Sequence, residues 1–466
     1  MVRILLIPNI AYHVGRNDLA DDSYLEFLNL TIELMKQKRD DLFWYIVIPC
    51  IDVRNKNKLK SLREKLDHSN THFIEMDIPI RPLNHIHFNV NELKQKLSLR
   101  DYPIDLIFCH VPEIVRSLKL FFESLTNLNP SIMGYLHLFE LPKINWKGVF
   151  EYNIFGMTEM DSCFLNTSYQ KQMVHEEARK IFSSSVCGKL HENLEVLPPV
   201  IIPKNIRPNK KGSYEKVIVW NHDVDKKSNF LEFEKTILTL RKMRDDFMVW
   251  VPRMKSSHRL TREYRWITVG RDSSKRELLE KMRTCCVGIS PKGGNVILYN
   301  STIEGNSCGV PFIMFDEPFY RDVNHNADFY KTRKGLISYL NKYLDESDYR
   351  NQMAGQAIGN LITKYNMNRK VNVINKRINS LLKSIRPVRS KKTNEIIQII
   401  KQKKRISHRE LLGSKYLNWD RETKFDAYRK AILNTKGITE LRKVSKGKKY
   451  SWKSYYQYLE PEVISK

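Results

Sequence analysis

The sequence predicts an α/β protein built from two Rossmann-like, doubly wound domains and a small C-terminal helical domain of winged-helix type. Twice along the chain, over residues 1–205 and 213–380, short apolar runs alternate with stretches whose apolar residues recur at helical spacing. Parallel sheets with crossover helices produce that alternation. Pro198, Pro199, Pro203 and Pro208, followed by Asn209-Lys-Lys-Gly212, break the two series apart. From residue 391 to 466 the composition turns basic and the pattern changes.

In the first series the apolar runs at 2–8, 43–49, 72–78, 106–110, 131–137, 163–166 and 194–199 read as strands. Between them, 23–37 has helical spacing through Leu25, Leu28, Ile32 and Met35, and 91–97, 111–125 and 168–182 follow suit. The second series has strands at 216–220, 247–252, 266–269, 287–290 and 311–315. Its helices fall at 230–244, at 275–284 and on the segment carrying Glu304, with 334–344 and 349–378 closing the domain.

No run of about 18 apolar residues exists, so no transmembrane helix is expected. Met1-Val-Arg-Ile-Leu-Leu-Ile-Pro8 lacks a small-residue cleavage site and reads as a first strand, not a signal peptide. Seven cysteines show no CxxC spacing, which excludes a zinc ribbon, and Cys50, Cys109 and Cys163 sit in apolar runs. Buried free thiols in a reducing cytoplasm are expected. The formal charge of +27 exceeds what solubility asks for and points to a polyanionic partner, nucleic acid ahead of an anionic membrane.

Residues 391–466 carry 20 Lys plus Arg against 8 Asp plus Glu. An apolar-striped helix is expected over 394–404 and a short one over 407–412, with Ser407 and Glu410 as a capping box. A third is expected over 420–435, and a hairpin of 438–444 and 449–452 about Ser445-Lys-Gly447. Three helices and a basic hairpin make a winged helix, with Arg421, Lys424 and Arg429 on the third helix and Lys446 and Lys448 on the wing as nucleic-acid contacts.

The chemistry concentrates in Cys285-Cys-Val-Gly-Ile-Ser290, Pro291-Lys-Gly-Gly-Asn295 and Ser301-Thr-Ile-Glu-Gly-Asn-Ser-Cys-Gly-Val-Pro311. The order is strand, glycine loop, helix, turn, strand. Main-chain amides of Gly293, Gly294 and Asn295 can hold a diphosphate there, and Glu304 can take ribose hydroxyls. The segment resembles the nucleotide-sugar site of GT-B glycosyltransferases, where a Glu-Ala-Met-Ala-Cys-Gly-x-Pro-like stretch stands. Glu304 matches the second glutamate of that family's E-x7-E motif, and Val296 occupies the place of the first.

Trp220-Asn-His-Asp-Val-Asp-Lys-Lys-Ser-Asn-Phe230 resembles a segment of the tRNA-queuosine mannosyltransferase group, within the retaining GT-B family. The resemblance implies Lys227 as the diphosphate lysine, Lys226 as its alternative, and Arg271 in the loop that meets the base. Asp223 stands where the group has arginine, and Arg253, at the end of the next strand, is the candidate replacement cation. Asp223-Val-Asp225 also reads as the Asp-x-Asp of metal-dependent transferases, but it follows a complete α/β half and no metal is expected. Gly134-Tyr-Leu-His-Leu-Phe-Glu140 resembles a strand-end His-Glu segment and implies His137 near the transferred sugar, with Glu140 nearby. His110 is a second strand-end histidine.

These features predict a retaining GT-B glycosyltransferase using a nucleotide-sugar, UDP-sugar first, with no tightly bound cofactor. Its first domain serves the acceptor. The acceptor ranked first is a hydroxymethylated pyrimidine in bacteriophage DNA, as in phage DNA glycosyltransferases, placing the protein in the host cytoplasm. A tRNA-modifying transferase is the alternative, followed by a lipid or cell-wall transferase and by a DNA-binding protein with an inactive transferase body.

Overall fold

The computed structural model describes residues 2–9, 23–50, 56–77, 89–97, 104–126, 130–136, 149–198, 215–224, 228–254, 257–270, 275–293 and 300–385, and beyond them 402, 405–407, 438–444 and 452–458. The chain forms two compact units, Met1–Lys376 and Arg377–Lys466.

The larger unit contains two parallel sheets. The first has the order β3-β2-β1-β4-β5-β6-β7, from β1 (Val2–Ile7), β2 (Leu42–Pro49), β3 (Thr71–Met76), β4 (Leu106–Cys109), β5 (Ser131–Leu136), β6 (Ser162–Leu165) and β7 (Leu194–Val196). The register runs parallel throughout, with Leu5 opposite Tyr45 on one side and Ile107 on the other. β4, β5 and β6 are buried at every position, as strands covered on both faces must be. The covering helices are α1 (Ser23–Lys38), α2 (Lys56–Leu66), α3 (Val90–Lys96), α4 (Val115–Thr126), α5 (Val149–Glu159), α6 (Ser168–Arg179) and α7 (Ser184–Asn193).

The second sheet has the order β10-β9-β8-β11-β12-β13. Its strands are β8 (Glu215–Val219), β9 (Met248–Val251), β10 (Ile267–Val269), β11 (Cys285–Ser290), β12 (Phe312–Phe315) and β13 (Phe329–Tyr330). α8 (Phe230–Arg241) and α13 (Arg333–Asp345) share a core with Ile218, Trp220, Val249 and Ile289. On the opposite face α10 (Lys275–Met282) and α12 (Pro318–Val323) pack with Val219, Trp250 and Phe312. α9 (Arg259–Glu263), α11 (Asn300–Ser307), α14 (Ser347–Lys364) and α15 (Met367–Ile385) complete the described helices. Two doubly wound parallel sheets are the architecture that the sequence predicts.

The sheets' helices meet at one defined contact. The Tyr169 amide, in the first turn of α6, donates to Asp322 Oδ2 of α12 at 2.8 Å, and the Tyr169 and Phe319 rings lie 6.0 Å apart. Thr167 caps the same helix by accepting from Gln170 at 2.9 Å, so Asp322 satisfies a second orphan donor from across the domains. The start of α15 also reaches the first domain: the Lys370 ammonium donates to the Pro198 carbonyl, and Lys38 Nζ to Asn372 Oδ1 at 2.7 Å.

Three expectations need correction. The helical run expected over 349–378 is two helices, because Tyr365 ends α14 and the Asn366 side chain accepts from Arg369 N at 3.1 Å, capping α15. Cys50 is exposed just past β2, whereas Cys109 and Cys163 are buried as expected. In the second unit β14 (Arg405–Ser407), β15 (Ile438–Val444) and β16 (Trp452–Tyr458) form an antiparallel sheet in the order β14-β16-β15. Of the expected hairpin, the first strand is present as β15, whereas the strand that pairs with it is β16, which begins at Trp452, the last residue of the expected 449–452, with Trp452 opposite Val444. The three helices expected in this unit lie outside the described residues, residues 402 and 407 aside.

Candidate nucleotide-sugar site

β8 and β11 are neighbours whose chain connections leave in opposite directions, which opens a crevice beyond their carboxyl ends. The polar residues of interest stand at that end of the second sheet.

Directly after β8, the Trp220 amide donates to the Trp250 carbonyl at 2.9 Å, and its indole stacks on Phe233 of α8 at 4.4 Å. The next two residues turn to the opposite helix. Asn221 Nδ2 donates to the Ser301 carbonyl at 3.2 Å, and His222 Nδ1 lies 2.7 Å from Ser301 Oγ. Both side chains are buried. The loop after β8 is therefore locked to the first turn of α11. Burial pushes the His222 imidazole down to about 3, with the Arg253 charge adding to the effect, so it is neutral near pH 7 and acts as a fastener, not a proton carrier.

α11 is held close to the sheet. Ser290 Oγ, at the end of β11, lies 2.7 Å from Thr302 Oγ1. The Phe312 ring fills the space between strand and helix so tightly that a Cβ at Gly288 would fall 2.3 Å from it, and a Cβ at Gly305 2.1 Å. Gly309, at φ 79°, ends the helix; its amide donates to Asn306 at 3.0 Å and that of Val310 to Gly305 at 3.3 Å. Glu304 stands one turn beyond Ser301, on the same side of α11, and is half-buried.

From β9, Arg253 reaches back to the same loop, its Nη1 donating to Asp223 Oδ1 at 2.9 Å. From β11 the chain leaves as Pro291-Lys292-Gly293. The Gly293 amide donates to Glu317 Oε2 at 3.1 Å, and Tyr320 Oη donates to the Pro291 carbonyl at 2.9 Å. Burial pushes the Glu317 carboxyl up to about 7, against the opposing pull of the Gly293 amide and Lys292. On the α8 and α13 side a cavity of about 280 Å³ is lined by Trp220, Lys292, Phe315, Tyr330, Lys331 and Arg333, among others. Lys331 is paired with Asp316 at 3.2 Å and Arg333 with Glu232 at 2.7 Å.

Of the residues predicted from sequence, Arg253, Gly293 and Glu304 thus stand on elements that end or begin at this edge of the second sheet. His137, Glu140, Lys226, Lys227, Arg271, Gly294 and Asn295 lie outside the described residues, as do Arg421, Lys424, Arg429, Lys446 and Lys448. His110 is buried edge-on to Phe108 at 4.6 Å and Tyr135 at 5.6 Å, which makes it a packing residue of the first domain. Sequence reasoning missed Glu317 and Lys292. The first is the second residue beyond β12 and could have been found by listing polar residues at strand ends; the second stands inside the glycine loop already singled out.

No protein-family model and no curated protein sequence matches the chain. Solved structures do. HepE of Anabaena in complex with UDP is similar over 82% of this chain and 100% of its own, at 11% identity and a TM-score of 0.58. TarM of S. aureus, solved with fondaparinux, α-GlcNAc-glycerol and UDP, is similar over 81% of this chain and 100% of its own, at 11% identity and 0.57. A glycosyltransferase from Rickettsia africae is similar over 82% and 99%, at 14% identity and 0.57. At such identities the likeness is one of fold: the GT-B arrangement of two Rossmann-like domains.

Proposed function

We propose that the chain is a glycosyltransferase that moves a sugar from a UDP-sugar onto nucleic acid. The observation that carries the donor half is the interlock of the β8 loop with α11, which brings Arg253 and Glu304 to the crevice of the second sheet. The UDP present in the HepE and TarM structures supports the same ligand class.

In this account Arg253, Lys227 with Lys226, and the amides of Gly294 and Asn295 neutralise the diphosphate, while the Gly293 amide is held by Glu317. Glu304 takes the ribose hydroxyls, and the loop containing Arg271 meets the base. The acceptor hydroxyl approaches from the first domain, beside His137. It bonds to the anomeric carbon on the face from which the diphosphate departs, the carbon–oxygen bond to phosphate breaks, and the acceptor's proton passes to the leaving phosphate oxygen. Positioning and charge stabilisation then do the catalytic work, and no metal is assigned.

The acceptor half rests on charge. The net +27, with 20 basic against 8 acidic residues in 391–466, fits a phosphate backbone. The antiparallel β15–β16 pair supports a winged-helix reading of that unit, with Arg421, Lys424, Arg429, Lys446 and Lys448 as contacts. A hydroxymethylated pyrimidine in phage DNA ranks first, extruded from the duplex or modified before pairing. The Trp220-Asn221-His222 segment favours tRNA as the second reading. The test is to incubate the protein with UDP- and GDP-sugars and with DNA containing hydroxymethylcytosine or hydroxymethyluracil, or with tRNA, and to weigh the released nucleosides. A hexose mass gain on DNA is expected; gain on tRNA alone reverses the ranking, and gain on neither refutes the acceptor assignment.

A further inference from the structure

We propose that Glu317 binds the hydroxyls of the transferred sugar and selects a neutral hexose; this rests on the donor assignment above. Because β12 pairs with β11, the residues that follow β12 stand beside the Pro291–Gly293 exit. Glu317 uses Oε2 on the Gly293 amide at 3.1 Å, and its Oε1 accepts no hydrogen bond among the described residues. A Cβ at residue 293 would fall 2.7 Å from Phe319 Cζ and 3.0 Å from Glu317 Oε2, so glycine is what lets the donor loop run against this carboxylate.

The residues just beyond Glu317 meet the first domain: the Phe319 ring lies 6.0 Å from that of Tyr169 of α6, and Asp322 accepts from the Tyr169 amide at 2.8 Å. Glu317 therefore stands on the segment that runs from the Pro291–Gly293 exit to the contact with α6. A half-buried carboxylate with one oxygen unbonded among the described residues is suited to a polyol, whose hydroxyls supply charge-assisted hydrogen bonds. Above pH 7, where Glu317 is ionised, it repels a sugar that is itself a carboxylate. The resemblance to GT-B enzymes places an acid at residue 296, which here is valine. Glu317 supplies a carboxylate to the same loop from the neighbouring strand end.

The experiment is calorimetric titration of the full chain with UDP, UDP-glucose, UDP-galactose, UDP-N-acetylglucosamine and UDP-glucuronate, for wild type, Glu317→Gln and Glu317→Ala, with melting curves to confirm folding. In wild type a UDP-hexose should bind at least tenfold more tightly than UDP-glucuronate. In Glu317→Gln the ratio of UDP-hexose to UDP dissociation constants should rise at least tenfold, with UDP itself within about twofold of wild type. Equal weakening of UDP and UDP-hexose overturns the proposal by reducing Glu317 to a loop anchor, and so does no change in either. A folded wild type that binds no UDP refutes the donor assignment itself, a different failure. Should Glu317→Ala not fold, Glu317→Gln carries the test alone.

Discussion

Arg253 Nη1 lies 2.9 Å from Asp223 Oδ1, which joins the end of β9 to the loop after β8. Under the proposed function Arg253 is the replacement cation for the diphosphate, and Asp223 is the residue that holds it. The pair's side chains are 38% and 67% exposed, so it contributes no more than about 1 kcal/mol to stability. Arg253→Ala should leave the melting temperature nearly unchanged and weaken UDP binding by about 10-fold to 100-fold, the equivalent of one charge-assisted hydrogen bond to phosphate. Calorimetry and melting curves on one preparation check both halves.

His222 predicts an acid limb. Burial pushes it down to about 3 and His175 to about 4, while unfolding returns each to about 6.5. Between these values the unfolded chain binds more protons than the folded one. Stability present at neutral pH is therefore lost as pH falls, by up to about 1.4 kcal/mol per pH unit for His222. Glu113 and Glu317, both raised to about 7 by burial, act oppositely: what they contribute below about 4.5 is lost as pH rises through 7. His222→Asn should flatten the slope of stability against pH between 6 and 4 relative to wild type. Urea titrations at several pH values measure it, and parallel slopes would refute the assignment.

Gly305 ties packing to binding. Its absent Cβ would fall 2.1 Å from the Phe312 ring, which Gly288 also crowds. Gly305→Ala should destabilise the fold by about 1–3 kcal/mol and, by displacing α11 and Glu304, weaken UDP binding. Adding Phe312→Leu should recover part of both losses.

Asp322 holds the two domains through the Tyr169 amide at 2.8 Å. Asp322→Ala should cost about 0.5–2 kcal/mol, as loss of a helix cap does. Asp322→Asn, which keeps the acceptor, should cost less. Denaturant titration of the three proteins ranks them.

Nucleic-acid affinity should fall steeply with salt. Replacing Lys446 and Lys448 with glutamine should lower the slope of log affinity against log salt by about 0.9 for every phosphate of duplex DNA that the variant no longer neutralises, with UDP binding unchanged. Fluorescence anisotropy between 50 and 200 mM salt reads this out.

The sheets were legible because parallel strands covered on both faces leave near-continuous apolar runs, as in β5 and β11, whose residues are all buried. α5 was not, because its exposed positions Tyr152 and Phe155 are themselves aromatic, so no polar stripe stands opposite the buried Phe150, Ile154 and Met157. β13 has two residues and α12 six, too few for any period to register. In the site, Arg253 was legible as a cation at a strand end. The bond from Gly293 to Glu317 joins residues 24 apart on separate strands, and only the sheet order brings them together. His222 was visible as part of a motif, but its role as a fastener depends on Ser301, 79 residues away.

The most direct test is a crystal structure of the full chain grown with UDP. The diphosphate should lie about 3 Å from the Arg253 guanidinium, with the ribose hydroxyls on Glu304. UDP bound away from both residues, or Arg253 still closed on Asp223 with no nucleotide at millimolar UDP, would contradict the account.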